Sequence, residues 1–283
     1  MRMCRLFGFR SVIPSQVHRS LLAAENALGT QSNDHPDGWG VAHYVDGVPH
    51  VTRAPSTAIN DAIFQRLSGV VASETLLAHV RKATIGPKTV LNCHPFQYGK
   101  WVFAHNGEIR QFEAKRRELL ELVAPRLRRY ILGDTDSEVL FFVLLTELLA
   151  YGPLASRLGI DDLIESIRTT VSKVRAIADS ADNPSPLTFV VTDGITMAAS
   201  QGGKELFLST HKSRCSDRDN CPHLAPECES PTTGGNINHM VFSSEVIRGD
   251  NVWTELNAGD VIGVDWRMRL TRARIDKRAL PVV

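Results

Sequence analysis

Net charge is nearly absent from this 283-residue chain, whose 32 Lys and Arg face 31 Asp and Glu for a balance of +1. No global field therefore favours nucleic acid or an anionic membrane as partner. Long apolar runs are lacking as well: the longest, Val139 to Ala150, is about twelve residues with Thr146 and Glu147 inside it, against the ~20 that a bilayer requires. It reads as a core helix. The opening MRMCRLFGFRS has no apolar secretory segment, so a reducing cytoplasm is expected, with the five cysteines as free thiols or ligands. Internal repeats, charge blocks and linkers are also missing, which points to one domain over residues 1–283. What is present, 43% hydrophobic and 22% charged residues, suits a folded globular protein and excludes disordered, collagenous and coiled-coil chains.

The periodicities predict a strand over residues 4–9 and a helix opening at Pro14-Ser15, with Val17, Leu21, Ala24 and Leu28 at helical spacing before Gly29 stops it. Trp39 to Val45 and Val48 to Thr52 flank Asp46-Gly47, the signal of an antiparallel hairpin. Further strands are expected at Thr75 to Val80, Trp101 to His105, Leu187 to Thr192, Thr196 to Ala199, Glu205 to Ser209, Val241 to Ser244 and Asp260 to Val264, with helices at Ser137 to Ala150 and Asp161 to Ala178. Strands, helices and strands again, without βαβ alternation, imply an α+β fold with helices packed over antiparallel sheets. Residues 211–239 break the pattern: they are polar, aperiodic and hold three of the five cysteines, and read as an insertion.

Candidate chemistry gathers at the front of the chain. Cys4 follows Met3, so synthesis from Met3 and loss of the initiator methionine would leave a thiol and a free α-amine on one residue. With a reference pKa of ~7.7 to 8.0, such an amine can serve as general base without a histidine. A small buried hydrophobe is the plainer reading of an early cysteine. His105-Asn106-Gly107 ends a predicted strand, where a side-chain amide N–H and a backbone N–H can meet as an oxyanion hole, although an Asn-Gly turn has the same sequence. Arg81 ends another strand and can grip a carboxylate with its planar fork, or simply face solvent. Thr135 stands three residues before Glu138, the spacing of a capping box, which puts Asp136 in the first helical turn, available to a cation.

Together these residues resemble a known family. The early Met-Cys, Asp37-Gly38-Trp39-Gly40, the Arg81 segment, Asn92-Cys93-His94-Pro95-Phe96, His105-Asn106-Gly107 and Asp134-Thr135-Asp136 occur in the order seen in class II glutamine amidotransferases, which are N-terminal-nucleophile hydrolases. Ser243-Ser244-Glu245 and the later strands resemble the stand-alone subgroup without a synthase domain. The resemblance implies a four-layer αββα sandwich, with Cys4 as nucleophile and its own amine as base. Asn106 and Gly107 would hold the oxyanion, Arg81 the substrate α-carboxylate and Asp136 its α-ammonium. His94 reads as part of a structural loop rather than as a base. The implied reaction is hydrolysis of a γ-glutamyl amide, glutamine or a small γ-glutamyl compound, through a Cys4 thioester. Ammonia or an amine would be released or passed to a separate accepting protein. Lys82 stands where sugar-phosphate-linked members have tryptophan, Ile85 where they have histidine, and Met1-Arg2 precede Met3. The competing reading is a catalytically silent binding or regulatory protein, its nucleophile blocked by that extension.

Catalysis of this kind requires no cofactor, since thiol attack on an amide needs no Lewis acid. The insertion nevertheless holds His211, Cys215, Cys221, His223 and Cys228, ligand-type residues that could converge on a structural zinc, with Cys215, Cys221, His223 and Cys228 as the candidate set. Unpartnered loop thiols and a disulfide are the alternatives.

Overall fold

The computed structural model describes residues 4–180, 182–215, 218–219, 221–232 and 235–276. Its strands are β1 (Arg5–Gln16), β2 (Trp39–Val45), β3 (Val48–Ala54), β4 (Ala72–Val80), β5 (Phe96–Tyr98), β6 (Trp101–Gly107), β7 (Leu187–Thr192), β8 (Met197–Ser200), β9 (Phe207–Ser209), β10 (Gly235–Asn236), β11 (His239–Ser243), β12 (Thr254–Glu255), β13 (Asp260–Val264) and β14 (Arg269–Arg274). They form two seven-stranded sheets, ordered β12-β9-β11-β1-β4-β2-β3 and β10-β14-β13-β8-β7-β6-β5. The helices are α1 (Leu28–Gln31), α2 (Ala62–Val70), α3 (Phe112–Glu121), α4 (Pro125–Arg128), α5 (Asp136–Leu148) and α6 (Ile160–Ala178).

Alternation along the strands decides the layers. Leu6 and Leu77 of the first sheet meet Val102, Val190 and Ile262 of the second in one core between the sheets. The opposite face of the first sheet buries Phe7, Trp39 and Leu76 against Leu28 of α1 and Phe64 of α2. On the far side, Phe103 and Phe189 pack against Phe141 of α5 and Ile164 of α6. The result is a four-layer αββα sandwich. Helix α5, predicted from the twelve-residue apolar run, is enclosed along most of its length.

One local expectation fails. No helix runs from Pro14 to Leu28; β1 continues to Gln16, a π-helical turn occupies Arg19–Ala23, and Gly29 lies inside α1 instead of ending a helix. A register shift between Arg10 and Ser15 lets β1 resume pairing with β4 at Ser15 and Gln16. A Cβ at Gly29 would meet the Leu21 carbonyl at 3.0 Å and a Phe64 ring carbon at 3.2 Å, so this glycine serves close packing. The Asp46-Gly47 hairpin forms as expected, with φ of 50° and 78° at the two turn residues.

Candidate active site

Cys4 immediately precedes β1, which is paired on one side with β4 and on the other with β11. Its Sγ accepts the Lys82 N–H at 3.2 Å and donates to the Lys82 carbonyl at 3.3 Å, so the peptide after β4 brackets the thiol. Burial pushes this thiol up to about 11, against the pull of the Lys82 backbone bond and the Arg81 charge, while the Asp136 charge pushes the same way as burial. A spontaneous thiolate is therefore scarce near neutrality, and attack requires a base. Among the described residues no imidazole bonds to Sγ. The Met1 to Met3 segment, whose expected removal would free the Cys4 α-amine, lies outside the described residues.

Arg81 is buried, and its guanidinium donates to the carbonyls of Ile85 (2.8 Å), Gly86 (3.2 Å) and Pro87 (3.2 Å). A guanidinium has five N–H donors, so this loop fixes the fork and still leaves capacity for a carboxylate. Asn92 supports the arrangement: its Nδ2 donates to the Pro87 carbonyl at 3.0 Å, and its Oδ1 accepts the Asp134 N–H at 2.9 Å. One buried amide thus ties the Arg81 loop to the start of α5. Asp37 secures the same rim, accepting from the Ala83 N–H at 2.9 Å and pairing with Lys88. Burial would raise the Asp37 carboxyl, but the Lys88 and Ala83 bonds outweigh it and hold the group below the usual carboxylate range.

At the start of α5, Thr135 Oγ1 caps the Glu138 N–H at 3.2 Å. The reciprocal arm of the predicted capping box goes elsewhere, because the Glu138 carboxylate accepts from the N–H groups of Leu132 (3.1 Å) and Gly133 (2.6 Å). Asp136 Oδ2 accepts the Ile109 N–H at 2.6 Å, and Oδ1 accepts the Ser137 N–H at 2.8 Å. Burial nevertheless raises this carboxyl to about 6. No ion pair joins Arg81 to Asp136 among the described residues. A buried cation and a buried acid that both act on the Cys4 thiol, without neutralising each other, complement a zwitterionic ligand.

Asn106 and Gly107 close β6. Asn106 Nδ2 donates to Ser244 Oγ at 3.2 Å, and the same hydroxyl accepts the Leu6 N–H at 3.0 Å. Ser244, at the end of β11, therefore joins the nucleophile strand to the amide donor. An amide nitrogen carries two N–H groups, so one remains for an oxyanion. The Glu108 N–H bonds back to Pro186 at 3.2 Å. Successive strand N–H groups alternate in direction, which turns the Gly107 N–H away from β7 and past the end of β5. No side chain fits at residue 107, since a Cβ would lie 1.8 Å from the Pro186 carbonyl oxygen.

His94 is buried against His79, their rings tilted by 36° with centroids 4.2 Å apart; burial holds its ring well below the ordinary histidine value. It has no bond to Cys4, consistent with a structural role. Sequence reasoning named Cys4, Arg81, Asn106, Gly107 and Asp136 as candidates but assigned nothing to Asn92 or Ser244. The Asn-x-His-Pro motif and the Ser243-Ser244-Glu245 motif were the available signals for them. In the 211–239 segment, Cys215, Cys221, His223 and Cys228 line a cavity of about 660 Å³ on the outer side of β1, away from Cys4. No three His, Cys, Asp or Glu side chains among the described residues converge as metal ligands.

Two antiparallel sheets between helical layers, with a bracketed cysteine at the head of a central strand, define the fold of an N-terminal-nucleophile hydrolase. The chain belongs to the class II glutamine amidotransferases, a family of enzymes: the family model described as "Glutamine amidotransferases class-II" matches residues 3–263. It is 31% identical over 227 residues to "Probable glutamine amidotransferase DUG3" of Saccharomyces cerevisiae, covering 70% of this chain and 63% of that protein. It is 38% identical over 74 residues to the "Gamma-glutamyl-hercynylcysteine sulfoxide hydrolase" of Mycobacterium tuberculosis, 26% of this chain and 32% of that one. A glutamine aminotransferase class-II domain protein from Silicibacter pomeroyi shares the fold with a TM-score of 0.63 at 22% identity, over 96% of this chain and 99% of its own. The chain thus spans less than two thirds of the curated relatives named here. No helix among the described residues is long and apolar enough to cross a membrane.

Proposed function

We propose that this protein hydrolyses a γ-glutamyl amide, glutamine or a small γ-glutamyl compound, through a thioester on Cys4. The observation that carries the reading is the setting of that thiol, bracketed by the Lys82 peptide and subject to the unpaired opposite charges of Arg81 and Asp136. Removal of the residues before Cys4 frees its α-amine, which takes the thiol proton. Sulfur then bonds to the amide carbon, and the oxyanion is held by the free Asn106 N–H and the Gly107 N–H. Collapse breaks the carbon–nitrogen bond, and the Cys4 ammonium returns its proton to the departing amine. Water, deprotonated by the same α-amine, cleaves the thioester and releases glutamate, restoring the thiol. Arg81 holds the substrate α-carboxylate and Asp136 its α-ammonium throughout. The chemistry uses no cofactor, and any ammonia released is available to a separate protein.

Intact mass measured together with glutamate release from glutamine and γ-glutamyl peptides tests the proposal. Activity is expected only in protein that begins at Cys4. Full activity in a chain that retains Met1 to Met3 refutes the amine-base mechanism. Native protein that retains Met1 and Arg2 and releases no glutamate favours the silent binding reading.

A further inference from the structure

Among the described residues, the cations around the thiol are committed, with one exception. Arg5 pairs with Glu245 at 3.0 Å, Lys88 pairs with Asp37, and Arg81 is held by the carbonyls of residues 85–87. Lys82 is half-buried, its backbone touches Sγ on both sides, and no carboxylate pairs with its ammonium among the described residues. Its direction follows from the chain. Arg81 donates to the Gly38 carbonyl at 2.7 Å and accepts the Asp37 N–H at 3.1 Å, so strand-like pairing continues one residue past β4. Successive side chains in extended backbone leave on opposite sides. Arg81 turns toward the 85–87 loop, so this alternation directs Lys82 to the opposite face from Arg81.

The two halves of an amide also lie on opposite sides of its carbonyl carbon. If Arg81 and Asp136 hold the glutamyl half, as proposed above, the leaving amine extends toward Lys82. We infer that Lys82 is a specificity residue that recognises an anionic leaving group, so that the preferred substrates are γ-glutamyl amino acids or peptides with a carboxylate beside the departing nitrogen, ahead of glutamine. The inference rests on the γ-glutamyl reading of the site.

The test compares γ-glutamylglycine with γ-glutamylglycinamide, which differ in that one carboxylate. Wild type is expected to favour the acid about tenfold in kcat/KM, the value of one charge-assisted contact at a partly exposed site. Lys82→Ala should bring the ratio to about one, Lys82→Arg should retain the preference, and Lys82→Glu should invert it. A loss of packing alone would slow both compounds equally and leave the ratio unchanged. Equal rates for the two compounds in wild type, or the same ratio in wild type and Lys82→Ala, overturns the inference while γ-glutamyl hydrolysis stands. Failure of Cys4-initiated wild type to release glutamate from either compound or from glutamine overturns both.

Discussion

Residues 4–138 and residues 211–239 both set cysteines among histidines and acids, and they hold them in different ways. In the first region the candidate side chains are each held by several fixed groups, some near and some far in sequence: Arg81 by the carbonyls of its own 85–87 loop, Asp136 by the Ile109 N–H, Asn106 by Ser244. In the second, the backbone is tied to residues 250–252 and to Val12, but the thiols themselves have few side-chain partners. Cys215 Sγ has Lys212 Nζ at 3.9 Å, Cys228 Sγ accepts from Asn238 Nδ2 at 3.1 Å, and Glu229 pairs with Arg218. Ligand-type spacing alone thus brings thiols to one cavity wall without converging them. Convergence at Cys4 comes from two sheets that place β1, β4, β6 and the start of α5 around one point.

Substitution should separate the regions sharply. Cys4→Ala is expected to abolish glutamate release and covalent labelling by a γ-glutamyl electrophile, which mass mapping should otherwise find on Cys4 alone; wild-type single-turnover release in this variant would remove Cys4 as nucleophile. Asn106→Ala should lower kcat by roughly 10²-fold with a smaller change in KM, because its free N–H acts on charge present only in the transition state.

Arg81→Ala and Asp136→Ala should each raise KM by roughly 10- to 100-fold, since each removes a charge-assisted contact of ~1.5 to 3 kcal/mol made in ground and transition states alike. Each variant should lose discrimination only against substrates lacking its own partner group. The acid also carries a pH signature. With the Asp136 carboxyl raised to about 6, the proposed ammonium site is charged above that pH and neutralised below it. Calorimetric titration of Cys4→Ala with glutamine should show affinity falling as pH drops through about 6, and the fall should be absent when Asp136→Asn is added.

A gentler perturbation is Ser244→Ala. It leaves Asn106 in place but removes the hydroxyl that accepts from both Asn106 and Leu6, and about tenfold in kcat is expected, with KM nearly unchanged. The smallest effect belongs to the other region. Cys215, Cys221 and Cys228 changed together to Ser should keep kcat/KM within about twofold, and chelation should leave the melting temperature unchanged. A drop of several degrees on chelation, with zinc found by elemental analysis, would show that the segment closes around a metal after all.

Short-range patterns made much of this legible. Asp46-Gly47 announced its hairpin, α6 showed its apolar stripe, and β13 matches its predicted bounds. Where the sequence misled, tertiary packing outweighed the local signal. Val17, Leu21, Ala24 and Leu28 have helical spacing, yet they fill the layer beneath the first sheet from an extended segment, a π turn and a short helix. Helix α3 escaped notice because it is mostly charged and buries only Phe112 and Leu119. The candidate site residues and their supports all stood within motifs, but the partners of the supports were not legible, because Ser244 lies 138 residues from Asn106 and Asn92 lies 42 from Asp134, separations that no periodicity reports.

The position of β1 between β4 and β11 has a temporal consequence. In a growing chain β1 is made well before β11, and one flank of β1 stays open until residues 239–244 follow. Until then β1 is an edge strand, with its backbone donors unpaired, and the head of the chain stays accessible to a processing peptidase. Arrival of Ser244 closes the ladder and aligns Asn106. Any trimming that exposes the Cys4 amine therefore has its widest opportunity before residues 239–244 are in place, and Asn106 gains its Ser244 support only with them.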